Sequence, residues 1–224
     1  LSMFYGFRSE GLYKDQADLD NSPKYATSPN GTIKMKDVNG DDTVTNNDRT
    51  FIGDPNTQFT FGFTNNFEYG HFDLSITMSG SVGGQILNAS RWAYLTNLDG
   101  ARMLLAAVKD RWRSPEDPGS GVYPRTMSGT TALGRYVNSQ WLENGSFLTV
   151  KNIALGYTID LGNNLMLKSL RVYGSVQQAL ILTGYSGLNP EISLNGLNGT
   201  GIGVDENAYP VPRTFSIGFN ATFK

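Results

Sequence analysis

An all-β fold of long antiparallel strands is what this sequence predicts, and three observations predict it. Charged residues make up 17% of the 224 residues, where about 25% is usual in soluble domains. Glycine occurs 26 times, and phenylalanine and tyrosine contribute 12 and 11 residues, a composition that suits strands joined by tight turns. Apolar and polar residues then alternate with period 2 over five separate stretches, which is how a strand with one oily face reads.

Taken in order, residues 1–56 read as a loop region in which a short strand precedes an acidic loop at 37–48. The first long strand covers about 57–69, with Phe59, Phe61, Phe63, Asn65, Phe67 and Tyr69 on one face and Thr60, Gly62, Thr64, Asn66 and Glu68 on the other. After a break at Gly70 and His71, a second strand over 72–82 carries Phe72, Leu74, Ile76, Met78 and Val82 in phase, so the two form a hairpin. Between 99 and 113 the period changes: Met103, Leu104, Ala107, Val108 and Trp112 recur at helical spacing before Ser114 and Pro115, and a short amphipathic helix within a long loop is expected. Residues 117–138 are rich in Gly, Ser, Thr and Pro and read as irregular loop.

Strands resume at about 146–159, where Phe147, Ile153, Leu155, Tyr157 and Ile159 are expected on one face with Lys151 interrupting it. Turn residues at 162–164 lead into a strand over 168–182, with Leu170, Val172, Val176, Leu180 and Leu182 opposite Arg171, Ser175 and Gln177. The last strand, about 213–223, alternates Phe215, Ile217, Phe219, Ala221 and Phe223 with Thr214, Ser216, Gly218, Asn220 and Thr222.

Composition removes several function classes. Lys plus Arg is 18 against 20 Asp plus Glu, a net charge of −2, which gives no general electrostatic reason to bind nucleic acid. There is no cysteine and a single histidine, so thiolate metal sites, Fe–S clusters, a Cys nucleophile and a His-based zinc cluster are excluded. No run approaches the roughly 20 apolar residues of a spanning helix, but strands that alternate can still cross a membrane as a barrel. The amino-terminal residues lack the regions of a secretion signal, so an exported protein would start upstream.

Strand length favours the membrane. The strands match the roughly 9–11 residues of a tilted spanning strand, whereas about 5–6 is the mode in globular sheets, and Phe and Tyr recur toward strand ends as in the aromatic girdles of outer-membrane barrels. Five strands cannot close a spanning barrel, whose minimum is about eight, so on this reading the chain is a fragment.

The acidic loop places oxygen donors Asp37, Asn39, Asp41, Thr43, Thr45 and Asp48 at relative positions 1, 3, 5, 7, 9 and 12, the spacing of an EF-hand loop. Asp37, Asn39, Asp41 and Asp48 are the candidate side-chain ligands of a structural calcium ion, with Thr43 giving its backbone carbonyl. Position 6 is Asp42 where glycine is expected, and position 12 is Asp rather than Glu. The alternative is an Asx-rich surface turn whose carboxylates only solvate the loop.

Other constellations carry less. His71, next to Asp73, has no Ser nucleophile nearby and reads as a turn or interfacial residue rather than a base. The carboxylate neighbours Glu116 and Asp117, and Asp205 and Glu206, lie in mobile-looking loops that cannot hold the separation a glycosidase needs. The Gly-rich runs at 80–84 and 196–203 open no helix and lack a phosphate-binding ending. Trp92, Tyr94, Trp112, Tyr123, Tyr136 and Trp141 could stack on a sugar ring, but packing the loops together is the simpler role. No substrate-binding residue is readable, and no catalytic residue is expected.

The ordered blocks resemble a known family. The acidic loop with Arg49, Thr50, Ile52, Gly53, Asp54 and Pro55, the hairpin from Phe59 to Ser75, the block Trp141, Glu143, Gly145, Ser146, Phe147 with Lys151, Asn152, Gly156 and Tyr157, and the end block Tyr185, Ser186, Gly187, Asn189, Pro190, Tyr209, Pro212, Arg213 and Phe215 resemble SusC/RagA-type TonB-dependent outer-membrane transporters. Gln140 and Thr149 stand where that family often has basic residues, and Ala221 replaces a usual bulky one. The resemblance implies a C-terminal segment of a large antiparallel transmembrane β-barrel of about 22 strands, with long extracellular loops and one short loop helix.

It further implies a bacterial outer-membrane location and import, driven by TonB, of glycans or peptides with a SusD-like surface lipoprotein as partner. On this resemblance the plug and the TonB-binding segment would lie outside this chain. Ser216, Gly218, Phe219 and Phe223 resemble the recognition signal read by the outer-membrane assembly machinery. The Phe59 row would meet lipid, and Thr60, Thr64, Ser75, Ser79, Ser175 and Gln177 the lumen. The turn at 162–168 would be periplasmic, and the acidic loop and the excursions 83–140 and 183–211 extracellular. A different class of protein also fits the residues: a secreted, calcium-stabilised β module that binds carbohydrate through loop aromatics.

Overall fold

The computed structural model describes residues 3–25, 28–96, 105–126, 136–162, 166–191 and 201–223. In chain order the elements begin with β1 (Phe4–Gly6), β2 (Ser9–Leu12), α1 (Gln16–Asp20), β3 (Ile33–Met35) and β4 (Thr50–Gly53). The long hairpin β5 (Phe59–Tyr69) and β6 (Phe72–Val82) follows, then β7 (Gln85–Asn88) and α2 (Ala89–Thr96). Last come β8 (Leu142–Asn144), β9 (Phe147–Asp160), β10 (Leu167–Thr183), β11 (Val204–Asp205) and β12 (Thr214–Phe223).

The chain forms two compact units. The strand unit comprises Thr57–Gly84, Gly145–Pro190 and Tyr209–Lys224, and the loop unit Leu1–Asn56, Gln85–Asn144 and Glu191–Ala208.

In the strand unit one five-stranded sheet has the order β12-β10-β9-β6-β5, with every neighbouring pair antiparallel. The β5–β6 hairpin pairs Phe59 with Val82 at one end and Tyr69 with Phe72 at the other without a slip. Only Gly70 and His71 lie between the strands, and Gly70 takes φ +60°, the left-handed backbone that a tight hairpin turn demands. The alternation of the sequence therefore becomes two faces, one lined by Phe63, Ile76, Ile153, Val176 and Phe215 and the other by polar residues.

One sequence expectation changes here. Met78 pairs with Val150 and Thr77 with Asn152, so Lys151 is the extra residue of a β-bulge. A one-residue insertion reverses the faces beyond it. Leu148 and Val150 therefore continue the apolar row of Ile153, Leu155 and Tyr157, and Phe147 lies on the opposite face with the fully buried Thr149. On β10 the pairs jump from Gln177 to Leu180, with Gln178 at φ +51°. Two skipped residues leave the parity intact, so Leu180 and Leu182 stay in phase with Val176.

The loop unit has its own hydrophobic core, formed by Phe4, Phe7, Leu12, Ile33, Met35, Val44, Leu87, Leu95, Trp112 and Trp141. Around it lie the antiparallel pairs β1–β4 and β2–β3 and the small sheet β11-β7-β8. Trp92, Tyr123 and Tyr136 pack against this core, and Trp112 and Trp141 lie within it. The segments that read as connecting loops thus converge on one another. The helix expected over 99–113 differs as well: a single 3₁₀ turn covers Ala106–Asp110, Met103 and Leu104 fall outside the described residues, and the longer helix is α2. Asn88 caps α2, its Oδ1 accepting from the Arg91 N–H at 2.9 Å, a side-chain service that makes Asn a favoured helix start.

Since Lys151 is the extra residue, deleting it is expected to remove the bulge and leave Leu148 and Val150 on the apolar face, as Lys151→Ala does with the bulge retained. Hydrogen exchange checks this: β9 amides keep their protection in both variants, and its loss in the deletion variant would show Lys151 to be a paired residue of the strand.

Candidate functional site

Two places concentrate polar chemistry. The first lies on the polar face of the strand unit, near the β5–β6 turn. Asp73 of β6 pairs in register with Gly156 of β9, and Arg171 of β10 reaches over that glycine. Its Nε and Nη2 donate to Asp73 Oδ1 and Oδ2 at 2.8 and 2.5 Å, a two-pronged guanidinium–carboxylate contact. A Cβ at Gly156 would collide with both partners, so glycine is what permits an ion pair across an intervening strand. The Arg171 guanidinium also lies 4.8 Å from the Tyr173 ring centroid, and the Tyr173 ring in turn covers Gly218 of β12.

A cavity of about 570 Å³ opens beside this pair, lined among others by Glu68, His71, Asp73, Thr158, Asp160 and Arg171. His71 Nδ1 lies 3.8 Å from Asp160 Oδ2 and its ring packs on Tyr157. The histidine thus sits in the turn between an exposed carboxylate and an aromatic.

The second place is the acidic loop. Asp37 accepts the Gly40 N–H on Oδ1 at 2.7 Å and the Asp42 N–H on Oδ2 at 2.8 Å. Asn39 Oδ1 accepts from the Asp41 N–H, and Asp41 Oδ1 from the Thr43 N–H, each at 3.0 Å. Asp42 takes φ +61°, so an aspartate adopts the left-handed turn that glycine usually provides at that position. Asp48 closes the loop from within and is fully buried. Its Oδ1 accepts from the Val38 and Asn39 N–H groups, and its Oδ2 from the Thr45 N–H and hydroxyl.

Asp48 thereby completes a capping box with Thr45 around the 3₁₀ turn Asn46–Asp48. Burial pushes its carboxyl up, but the donors from Thr45, Val38 and Asn39 outweigh burial and hold it below the ordinary carboxylate range. The loop brings Asp37, Asn39 and Asp41 together through hydrogen bonds and turns Asp48 inward. Among the described residues no group of three His, Cys, Asp or Glu side chains stands ready around a cation. The loop thus gathers oxygen donors around a left-handed turn at Asp42, the oxygens of Asp37, Asn39 and Asp41 accept from the loop's own N–H groups, and Asp48 serves the backbone.

The strand residues Ser216, Gly218, Phe219 and Phe223 divide between the faces of β12. Phe219 and Phe223 stand 74% and 68% exposed on the apolar side, and Gly218 receives the Tyr173 ring on the other. In the loop unit, Glu143 has a role that no local pattern in the sequence signals. Its Oε1 accepts from Arg91 Nη1 and Asn88 Nδ2, both at 3.0 Å, while Arg91 Nη2 donates to the Tyr123 hydroxyl at 3.1 Å. This node pins α2 to β8; only the folded loops bring residues so distant in sequence together.

No protein-family model matches the chain. Among curated proteins it is similar to two TonB-dependent receptors of Formosa agariphila, P3 at 32% identity and P26 at 31%. It is also similar to the TonB-dependent receptor SusC of Bacteroides thetaiotaomicron, at 27%. These matches cover 100%, 99% and 97% of this chain but 22%, 22% and 20% of the relatives, so the chain spans about a fifth of their length.

Among solved structures it is similar to the RagAB peptide importer in the open-open state, with a TM-score of 0.70 and 22% identity over 99% of this chain and 22% of that one. The RagAB peptide transporter gives 0.67 and 20% over 97% of this chain and 22% of that one. An antiparallel, strand-rich chain with one apolar face, matched along its whole length by such receptors, is a segment of a TonB-dependent receptor. Within that class the chain belongs to the SusC/RagA type, and its fold is that of the RagA barrel structure.

Replacing Asp48 with alanine strands four donors and is expected to cost about 1–3 kcal/mol of loop stability, the usual range for a lost buried partner. Because the folded carboxyl titrates below its unfolded value of about 3.9, the contribution is present above that pH and lost as pH falls through the lower folded value. Proteolysis within 37–48 checks both: cleavage rises in Asp48→Ala at neutral pH, and in the unchanged protein only below that range.

Proposed function

We propose that this chain is part of the barrel wall of a TonB-dependent outer-membrane importer. The observation that carries the reading is the uncovered apolar face of the five long strands. Phe215, Ile217 and Phe219 of β12 stand 72%, 89% and 74% exposed, and Phe59, Phe67, Leu155 and Leu182 are exposed on the same face. A water-soluble sheet buries such rows, and a continuous apolar face of this size marks contact with a membrane or another protein. Dimensions agree with a membrane. From Phe59 to Tyr69 the outward row of β5 runs about 33 Å at roughly 3.3 Å per residue, which at a tilt of about 40° rises roughly 25 Å, the height of the apolar band of outer-membrane barrels.

The opposite face, with Thr64, Ser75, Thr158 and Arg171, would line a hydrated lumen. The complete barrel has the 22 or so strands of plugged outer-membrane transporters, takes its energy from TonB, and imports glycan fragments or peptides under a SusD-like surface lipoprotein. What supports these finer statements is kinship with proteins named TonB-dependent receptor SusC and RagAB peptide importer. Ser216, Gly218, Phe219 and Phe223 serve as the assembly signal on β12, its two aromatics displayed on the lipid side.

The acidic loop is proposed to hold one structural calcium ion through Asp37, Asn39, Asp41 and the Thr43 carbonyl, with Asp48 fixing the loop from behind. The ion would lower the cost of ordering the loop before a ligand binds. It takes no part in a reaction.

An immunoblot of fractionated source cells tests the main reading. A band several times heavier than this chain, in the outer membrane and shifting on boiling, is the expected result; a soluble band of this chain's own size would overturn it in favour of a secreted module. For calcium, the expectation is that a chelator increases cleavage within 37–48 of the full-length receptor and that added calcium reverses it. Cleavage indifferent to both would rule the ion out.

A further inference from the structure

The apolar rows of the strand unit contain one anomaly. On β5 the outward positions are Phe59, Phe61, Phe63, Asn65, Phe67 and Tyr69. Asn65 stands at the middle of that row, and the register carries its level across the sheet through Ile76, Ile153, Val176 and Phe215. Leaving aside the bulges at Lys151 and Gln178 and the strand end at Lys168, every other described position paired on this face is apolar or glycine.

An amide has two donors and an acceptor oxygen to satisfy, and hydrocarbon offers nothing in return. On the β6 side the direct neighbour of Asn65 is Ile76, and the diagonal neighbours are Leu74 and Met78. Along β5 itself its face is flanked by Phe63 and Phe67. Among the described residues none gives its side chain a hydrogen bond.

The other side of β5 is open, because β5 is the edge strand of the sheet. A polar side chain at mid-membrane depth points to a partner, and the shape of the row says where that partner stands. Phe63 and Phe67 are 46% and 57% exposed, and their rings project beyond the shorter Asn65, which is half-buried between them. A lipid chain or a second protein approaching the face would meet the rings first. A strand added at the edge brings a side chain to within roughly 4.5–5.5 Å, Cβ to Cβ, beside the amide rather than above it.

We propose that Asn65 hydrogen-bonds to a polar side chain on the barrel strand that completes the open edge of β5, a strand supplied by the part of the full-length protein outside this chain. That part is large, since the chain spans 22% of its curated relatives P3 and P26. The inference rests on the membrane reading above. Its consequence is a fixed register at that seam: a slip of one residue carries the partner to the lumen face and leaves the Asn65 amide unsatisfied.

The experiment uses the full-length receptor in outer membranes and compares Asn65→Leu with Asn65→Gln, following the temperature at which the compact band is lost and the hydrogen exchange of β5. The expected result is a transition lowered by a few degrees and faster exchange in β5, but not in β9, for the leucine variant, with most of the loss recovered by glutamine. Asn65→Ala carries the same comparison should the leucine variant not accumulate. An unchanged or raised transition in the leucine variant, with β5 exchange unaltered, would overturn the proposal and place Asn65 against lipid. A change in the number of copies per particle with β5 exchange unaltered would overturn it in favour of a contact between receptors. Absence of any heat-sensitive compact band in the unmodified protein would instead overturn the barrel reading beneath it.

Discussion

The strand unit depends on the register of β9. This strand pairs with β6 on one side and β10 on the other, so its phase decides which side chains share the apolar face of the sheet and which the polar one. The bulge at Lys151 keeps that decision consistent along the strand: were Lys151 paired as an ordinary residue, Leu148 and Val150 would fall opposite Ser81 and Ser79 instead of Gly80 and Met78. β10 answers with its own irregularity at Gln178, so both strands bend at the same level, as bulged strands do.

Glycine plays a second part in the same sheet. A glycine inside a strand ordinarily weakens it, yet here three of them accept a neighbour's side chain laid flat across the gap. Phe61 covers Gly80, Arg171 and Asp73 meet over Gly156, and Tyr173 covers Gly218. Such cover restores the packing a missing side chain forfeits and ties adjacent strands sideways. The acidic loop solves a related problem with polar groups. Its turn amides have no ladder to join, so Asp37, Asn39, Asp41 and Asp48 accept from them, which explains why a loop so rich in carboxylates is ordered at all.

Much of this was legible in the residues, and for definite reasons. The hairpin β5–β6 follows from two period-2 runs around a glycine, and its register is unbroken because nothing is inserted. Phe147 was misplaced because Lys151 reads as a tolerated polar interruption, and only the pairing with β6 shows it to be an insertion. α2 was missed since its apolar face is short and its start depends on Asn88, a cap that resembles any loop asparagine. The loop unit was invisible for a deeper reason. Phe7 and Ile33 lie in one segment and Trp112 and Trp141 in another, with no common period, and a core assembled from distant loops leaves no local trace. The candidate site divides the same way: the spacing of the acidic loop could be read, whereas the inward turn of Asp48 and the Arg171–Asp73 contact over Gly156 could not.

The sequence by itself determined the strand class, the two faces and the positions of the tight turns, because side-chain alternation and left-handed backbone are local properties that each few residues specify alone. It also carried the ordered blocks by which the SusC/RagA kinship is recognised. Tertiary structure alone decided the phase of β9 beyond Lys151, the gathering of the loops around their own core, and the isolation of Asn65 in an apolar row. Each of these is a relation between strands or segments far apart in the chain, and it acquires a definite value only when backbone pairing and burial fix which side chains share a face.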